Sequence, residues 1–397
     1  MNRSVLFVSH DSVRAGAVLS LLNFLRWFKS NADIPFQVLI CERGEMDRAF
    51  EEMAPVWYLD PGIGRKARLR TALRALMIGR DAARTAGYSD LASRVGSGNP
   101  VGLVFSNTVL NGRVLEALSP LRSPVLTHVH ELEFAIQARA GEDFDAVKRH
   151  TNRYVAVSDA VRRNLVDRHG ISVDRIECIR GAIETTARPR SHAAALKQSL
   201  AAEIGIRPDS KIVGGCGVAY WLKGPDLFLQ LAVAIRARAP HAPVHLVWLG
   251  AAPQGRELLA LKHDLARTGL ANSVHFIGAR SNPLDYIAAF DVHALVSREE
   301  SLSLVTLEAA ASGLPTVCFD DAGGACEFVE TDAGASVPYL DVGAMADRVL
   351  ELLFNDRLRA ELGRRAREKV LERHDIGQAA PKLLRTIQGM LQSSPKV

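Results

Sequence analysis

The sequence predicts an α/β protein with two doubly wound parallel sheets, and three observations carry that prediction. Short β-branched and apolar runs alternate with helical patterns along the chain. The runs are apolar throughout, as strands covered by helices on both faces must be. The series also occurs twice, on either side of a polar, Ala-rich stretch. With 397 residues and 48% hydrophobic content the chain can bury two large cores, as expected at roughly 150 residues per domain.

The first series of strand-like runs comprises residues 5–9, 36–41, 101–105, 125–129 and 154–157. The second comprises 212–215, 244–249, 274–277, 294–297 and 316–319. Between them, residues 184–210 are polar and Ala-rich, with two prolines and no strand pattern, which marks a domain boundary. Near the end, Asp375 is an N-cap candidate for a helix that sets Leu383, Leu384, Ile387, Met390 and Leu391 on one face. No strand follows it, so that face needs a surface to pack on.

Composition limits the function. A net charge of +5 and a pI near 9.0 are a mild excess over a long chain, weaker than a nucleic-acid binder usually shows, and no nucleic-acid partner is expected. Cys41, Cys178, Cys216, Cys318 and Cys326 are odd in number and never form C-x-x-C; they read as reduced core residues. No run suits a signal peptide or a membrane span, so the expected location is cytoplasmic. Neither G-x-x-x-x-G-K-[ST] nor G-x-G-x-x-G occurs, which disfavours NTPases and dehydrogenases. "DFD" at 143–145 fits a D-x-D metal pattern, but its charged helical context reads as a solvated face.

Open sheets bind ligands at the carboxyl ends of their strands. At one such end, "SREESLSLVTLEAAASGLPTV" (297–317) sets Glu300 and Glu308 on either side of seven uncharged residues. The spacing predicts a helix over about 304–312, closed by Gly313 with Pro315 beyond. Glu300 then sits in the loop before it and Glu308 on its second turn. At helical rise the two lie ~12 Å apart, close to the span of a sugar joined to a nucleoside by a diphosphate. They are too far apart to share one reacting atom. One carboxylate suits sugar hydroxyls and the other ribose hydroxyls, with helix N–H groups between them for phosphate.

This stretch resembles the E-x7-E motif of family 4 retaining glycosyltransferases, a group with the two-domain GT-B fold that uses nucleotide-sugar donors. Glu300 to Pro315 match it in register, except that the usual Gly-Phe-Gly is here Ser301-Leu302-Ser303. "VGGCGVAYWLKGPDLFLQLA" (213–232) resembles the family's glycine-rich turn, which ends in Lys-Gly; Val218 and Leu222 stand where the family usually adds an arginine. "LFVSHDSVRAGAVLSLLNFLRWF" (6–28) resembles its first strand, loop and helix, with only Gly16 and Ala17 kept of Gly-Gly-Ala-Glu and Val18 in the glutamate's place. "SNTVLNG" (106–112) could line the acceptor side, and "THVHELEF" (127–134) resembles the His-Glu dipeptide. "YVAVSDAVRRNLVDRHGISVDRIECIRGAIE" (154–184) resembles the last strand, helix and strand of the first domain, and "VHFIGARSN" (274–282) the loop that seats the base.

The resemblance implies a GT-B protein whose two Rossmann-like domains face a central cleft. Its N-terminal, acceptor-side domain is expected at 1–185, a linker at 186–208 and a nucleotide-sugar-binding domain at 209–375, with a terminal helix at 376–397 packing back on the first domain. It implies retaining transfer of a hexose-type sugar from a nucleotide-sugar to a saccharide or lipid-linked saccharide, in glycan or polysaccharide biosynthesis. The implied catalytic residues are Glu300, His130 and Lys223. The implied donor-binding residues are Gly16, Gly217, Lys223, Gly278, Ala279, Leu302, Ser303, Leu304 and Glu308. Lys223 would serve the diphosphate as a point charge, supplemented by the helix after Glu300 or by Arg298 or Arg14. Neither metal nor resident cofactor is expected, the nucleotide-sugar being a substrate. A nucleotide-sugar epimerase of the same fold, or a weakened nucleotide-sugar-binding partner subunit, stands as the alternative.

One partner reading rests on "GRKARLRTALRALMIGRDAAR" (64–84), with seven basic residues, one acid, and Leu69, Leu73, Leu76 and Met77 on one helical face. It fits a core-packed helix with a solvated cationic side, or peripheral docking on an anionic membrane surface at the inner face.

Overall fold

The computed structural model describes residues 3–59, 88–141, 143–185, 193–250 and 255–393. They form two compact units, 1–181 with 376–397, and 182–375.

The first unit holds a seven-stranded sheet among its described residues: β1 (Ser4–Asp11), β2 (Phe36–Glu42), β3 (Val56–Tyr58), β4 (Val101–Ser106), β5 (Val125–Val129), β6 (Arg153–Ala156) and β7 (Ile176–Cys178). Every pairing is parallel, in the order β3-β2-β1-β4-β5-β6-β7. The order reverses between β1 and β4, where strands feed crossovers on opposite faces. Phe7 of β1 centres the core, 5.0 Å from the Phe105 ring and 5.5 Å from that of Phe28, spacings at which aromatic rings attract beyond their area burial. The helix Gly16–Asn31 supplies Leu21, Leu22, Phe24, Leu25 and Phe28, the i, i+3, i+4 stripe of an amphipathic helix. The terminal helix Ile376–Ser393 buries Ala380, Leu383, Ile387 and Met390 in the same core. Thr386 of that helix donates to Glu177 at 2.7 Å.

The second unit holds a six-stranded parallel sheet among its described residues: β8 (Lys211–Cys216), β9 (Val244–Leu249), β10 (Val274–Phe276), β11 (Val292–Leu295), β12 (Thr316–Phe319) and β13 (Gly334–Val337). The order is β10-β9-β8-β11-β12-β13, again with a reversal, here between β8 and β11. Gly214 of β8 faces the Phe290 ring, so closely that a Cβ would lie 1.8 Å from it. Both units are thus Rossmann-like, with helices over parallel sheets.

Several elements differ from the sequence expectation. Within the span read as a linker, Ala193–Ile204 is a helix of the second unit. Leu196, Leu200 and Ile204 recur at four-residue spacing on an Ala-rich helix, and Leu200 is buried in one cluster with Ile212, Val247 and Leu249. Lys197 seals the contact with bonds of 2.9 and 2.6 Å to Asp291. The strand read at 294–297 is Val292–Leu295, because His293, buried and bonded to Thr316, counts as core despite its polarity. β3, half-buried throughout, and β13, which runs Gly-Ala-Ser-Val, do not register as apolar runs. Asp143 and Asp145 lie on the helix Asp143–His150 and pair with Arg113 and Lys148. The basic stretch 64–84 lies outside the described residues.

Candidate functional site

In the second unit the candidate residues gather at the carboxyl ends of β8, β10 and β11. After β8 the chain turns through Gly217, whose N–H donates to Leu249 O at 2.9 Å and whose carbonyl accepts from the Trp248 indole at 3.0 Å. Gly250 approaches so closely that a Cβ there would lie 2.2 Å from Gly217 O, and Gly250 N–H donates to Gly278 O at 2.9 Å. Gly217, Gly250 and Gly278 have φ of 139°, 138° and 70°, conformations that disfavour side chains. Three strand exits thereby present backbone in place of side chains, the arrangement that admits a planar or phosphorylated ligand. Ala279 follows, and Arg280 beyond it is held by Glu203 at 2.6 Å.

A short 3-10 turn, Trp221–Lys223, then leads through Gly224 (φ 72°) into the helix Pro225–Arg238. A Cβ on Gly224 would lie 2.2 Å from Val296 O, so this turn seats directly on the exit of β11. That seating brings Lys223 Nζ onto Glu300 Oε2. Ser297 Oγ donates to the same oxygen at 3.4 Å. Burial disfavours the Lys223 cation, but the charge and hydrogen bond of Glu300 outweigh it and its pKa is raised, so it stays protonated at neutral pH.

Glu300 is positioned by backbone. Its N–H donates to Ala322 O at 2.7 Å and its carbonyl accepts from Gly324 N–H at 2.9 Å, a parallel bridge to the loop after β12. The helix Leu304–Ala311 begins four residues on, with Ser303 Oγ accepting from Thr306 N at 3.1 Å as its N-cap. Residues 300–303 are loop, so helical rise does not measure the Glu300–Glu308 separation. The N–H groups of Leu304 and Val305 lie at the helix start, where first-turn donors have no intrahelical acceptor. Leu302 and Leu304 pack against the cluster that holds Leu295, Leu307 and Phe328, so their side chains serve the core. Glu308 lies on the second turn; burial first, and the Glu308 charge after it, push the Cys216 thiol up to about 12, while Lys223 pulls the other way. Cys216, Lys223, Glu300 and Glu308 thus share one electrostatic neighbourhood.

Arg298 is committed elsewhere. It makes a two-toothed ion pair with Asp226 at 3.0 and 2.6 Å, donates to Trp221 O at 2.6 Å, and lies 4.8 Å from the Trp221 ring centroid. It braces the Lys223 turn instead of offering a charge to diphosphate.

In the first unit, Gly16 opens the helix Gly16–Asn31 after β1 and is exposed, while Val18 is buried in the core. Arg14 lies in the exposed loop before it, its N–H donating to Glu45 at 3.1 Å. His130 follows β5, and Asn107 follows β4. His130 Nε2 lies 3.2 Å from Asn107 Oδ1, and Asn107 Nδ2 donates to Ala17 O at 2.9 Å. Burial lowers the His130 pKa to about 4, leaving a neutral ring.

Sequence reasoning reached Asn107 only as part of 106–112 and Glu131 only as part of the His-Glu dipeptide, gave neither a role of its own, and missed Ser297 and the loop 320–324. Glu131 is 7% exposed and accepts from Thr108 Oγ1, from His130 N at 3.0 Å and from Val109 N at 3.4 Å. Burial pushes its carboxyl pKa up despite these donors. It fastens the β5 exit to the β4 exit. The Gly323-Gly324 pair was the available signal for the 320–324 loop.

Among the described residues no group of three or more His, Cys, Asp or Glu side chains could hold a metal. Nor is any helix there long and apolar enough to cross a membrane.

Two Rossmann-like α/β units of this kind define the GT-B architecture of glycosyltransferases. Anabaena HepE, solved with UDP and glucose, matches at a TM-score of 0.80 and 20% identity over 97% of this chain and 99% of its own. Sucrose-phosphate synthase of Thermosynechococcus elongatus matches at 0.75 and 17% over 99% and 100%. At these identities the likeness is one of fold.

Residues 210–355, the greater part of the second unit, match the family model described as Glycosyl transferases group 1. D-inositol 3-phosphate glycosyltransferase of Nocardia farcinica is 32% identical over 222 residues, 54% of this chain and 48% of that protein. The lipopolysaccharide core biosynthesis mannosyltransferase LpsB of Rhizobium meliloti is 31% identical over 147 residues, 36% and 42% of the two chains. The chain therefore spans about half the length of the curated relatives it matches, or less.

Proposed function

We propose that the protein is a retaining glycosyltransferase of family 4 type, moving a hexose-type sugar from a nucleotide-sugar to a saccharide or lipid-linked saccharide in glycan biosynthesis. The observation that carries the reading is the Lys223–Glu300 pair beside the capped start of the helix Leu304–Ala311. A cation and free helix N–H groups suit a leaving diphosphate, and a carboxylate beside them suits sugar hydroxyls. Both relatives named above are glycosyltransferases, one of them a mannosyltransferase.

In this reading Gly217, Gly278 and Ala279 offer backbone to the nucleotide, Glu308 accepts from ribose hydroxyls, and Gly16 borders the phosphates. Leu302, Ser303 and Leu304 offer backbone to the transferred sugar. The acceptor hydroxyl attacks from the face the diphosphate leaves, and the leaving phosphate takes its proton. Lys223 and the helix N–H groups stabilise the charge that develops on the diphosphate, so the acceleration is mainly electrostatic. His130, neutral, meets a donor-sugar hydroxyl. No metal has a role in this scheme.

A second reading, a weakened nucleotide-sugar-binding subunit, draws on Arg298 being spent on Asp226 while Val218 and Leu222 offer no charge. Turnover of UDP-, GDP- and ADP-sugars, measured with and without saccharide acceptors, tests both. Acceptor-dependent release of nucleoside diphosphate with retained anomeric configuration is the expected result. Binding without turnover supports the subunit reading, and sugar interconversion without acceptor points to an epimerase. Failure to bind any nucleotide-sugar overturns all three.

A further inference from the structure

We propose that Asn107 is a positioning residue that fixes the ring of His130 as its Nε2–H tautomer, leaving Nδ1 as the acceptor for a hydroxyl of the donor sugar. The second half of this inference rests on the function proposed above; the first half does not.

Asn107 is 1% exposed, and its backbone N–H donates to Val8 O at 3.0 Å, so the residue has no freedom to turn toward solvent. Its amide has one donor end and one acceptor end. Ala17 O, 2.9 Å away, is a carbonyl and can only accept, so it fixes which end of the amide is the nitrogen. The oxygen end therefore faces His130 Nε2 at 3.2 Å, and a neutral ring can meet an amide oxygen only by donating. The other tautomer would set a ring lone pair against Oδ1. Flipping the amide to relieve that clash would set Oδ1 against Ala17 O instead. Either arrangement leaves buried polar atoms facing like partners, at the cost of an unmade hydrogen bond.

The groups around His130 are consistent with this assignment. The His128 ring lies 4.2 Å away, centroid to centroid, and the Glu131 carboxylate is occupied by Thr108 Oγ1 and by the backbone N–H groups of Val109 and His130. None of them bonds to Nδ1, which has no protein partner among the described residues. A ring nitrogen that can only accept, on a partly exposed residue at a strand's carboxyl end, suits a hydroxyl donor and rejects a carbonyl.

The test is a long-range proton–nitrogen correlation spectrum of the full chain labelled with nitrogen-15 histidine, at pH 7.5. The His130 signals are assigned by their loss in His130→Gln. The expected wild-type pattern is the neutral Nε2–H tautomer; an Nδ1–H pattern overturns the proposal whatever the protein's activity. Asn107→Leu is expected to give a mixture of tautomers, and an unchanged Nε2–H pattern there overturns it too. Should that variant fail to fold, Asn107→Ala serves: it too removes the Oδ1 acceptor, so a mixture of tautomers is expected and an unchanged Nε2–H pattern overturns the proposal.

For a nucleotide-sugar that the wild type turns over, Asn107→Leu should lower kcat/KM about three- to tenfold, mainly through KM, as loss of one neutral hydrogen bond implies. An unchanged KM overturns the donor-sugar role. If the wild type turns over no nucleotide-sugar, the proposed function fails while the tautomer result stands.

Discussion

Lys223 Nζ is bonded to Glu300 Oε2, and this pair joins the turn after β8 to the loop after β11 at the point where the strand order of the second sheet reverses. Neither side chain lies in open solvent, at 26% and 11% exposure. Under the proposed function, a diphosphate arriving beside Lys223 would exchange one anion for another, so that the ammonium keeps a partner. The carboxylate so released would then be available to sugar hydroxyls.

Replacing either member removes that exchange. Lys223→Ala and Glu300→Ala should each lower kcat for transfer by on the order of a hundredfold or more, the scale of losing one preorganised charge, with circular dichroism unchanged. Near-normal turnover in either variant removes that residue's role. Both variants should also lose stability, by about 1–3 kcal/mol in thermal or urea unfolding, less than for a fully buried pair because Lys223 is partly solvated.

Ser303 has a structural duty that its position in the motif conceals. Its hydroxyl caps the helix Leu304–Ala311 through Thr306 N, so Ser303→Ala should cost about 1 kcal/mol, whereas Ser303→Gly should cost only a few tenths. Equal losses in the two variants, read by chemical unfolding, would show that the cap is not stabilising.

Acid should weaken the fold through buried histidines. His130 and His293 have pKa values lowered by burial from about 6.5 to about 4. In that window the unfolded chain binds more protons than the folded one, so stability falls as pH drops from about 6.5 toward 4, by up to about 1.4 kcal/mol per pH unit for each group. Above 6.5 neither contributes a slope. His293→Gln should flatten the dependence measured by urea unfolding between pH 7 and pH 4.5; an unchanged slope would show that His293 titrates normally.

Two glycines should respond oppositely to alanine. At Gly214 a Cβ would lie 1.8 Å from the Phe290 ring, within a packed sheet, so Gly214→Ala should cost several kcal/mol or abolish soluble expression. Gly389 lies exposed in the terminal helix with nothing within 4 Å of a Cβ, so Gly389→Ala should stabilise by roughly 0.5–1 kcal/mol. Thermal melts of the two variants give the comparison.

The strands of both sheets were legible where apolar runs are long enough to stand out, as at Val125–Val129, Val244–Leu249 and Thr316–Phe319, because strands covered on both faces carry an uninterrupted signal. β3 and β13 were not, since β3 is only half-buried and β13 runs Gly-Ala-Ser-Val, so neither stands out as an apolar run. The helix Ala193–Ile204 was hidden by its alanines, which resemble a linker until Leu196, Leu200 and Ile204 are seen to face Ile212 and Val247. The Glu300–Glu308 motif was readable from local spacing. The partners that aim it were not: Ala322 and Gly324 lie on another strand's exit, and Arg298, which sequence reasoning offered to the diphosphate, is bound to Asp226. Asn107 and Glu131 fell in stretches that sequence reasoning singled out, but their roles did not show, because an Asn and a Glu on loops look solvated until burial is known.

The most direct test of the central claim is a calorimetric comparison of nucleotide-sugars with their nucleoside diphosphates, across the UDP, GDP and ADP series, on wild type and on Glu300→Gln. The account predicts that one nucleotide-sugar binds the wild type more tightly than its diphosphate, and that Glu300→Gln erases most of that difference while diphosphate binding survives. A nucleotide-sugar that binds Glu300→Gln as tightly as wild type, or a wild type that binds none of the series, would contradict it.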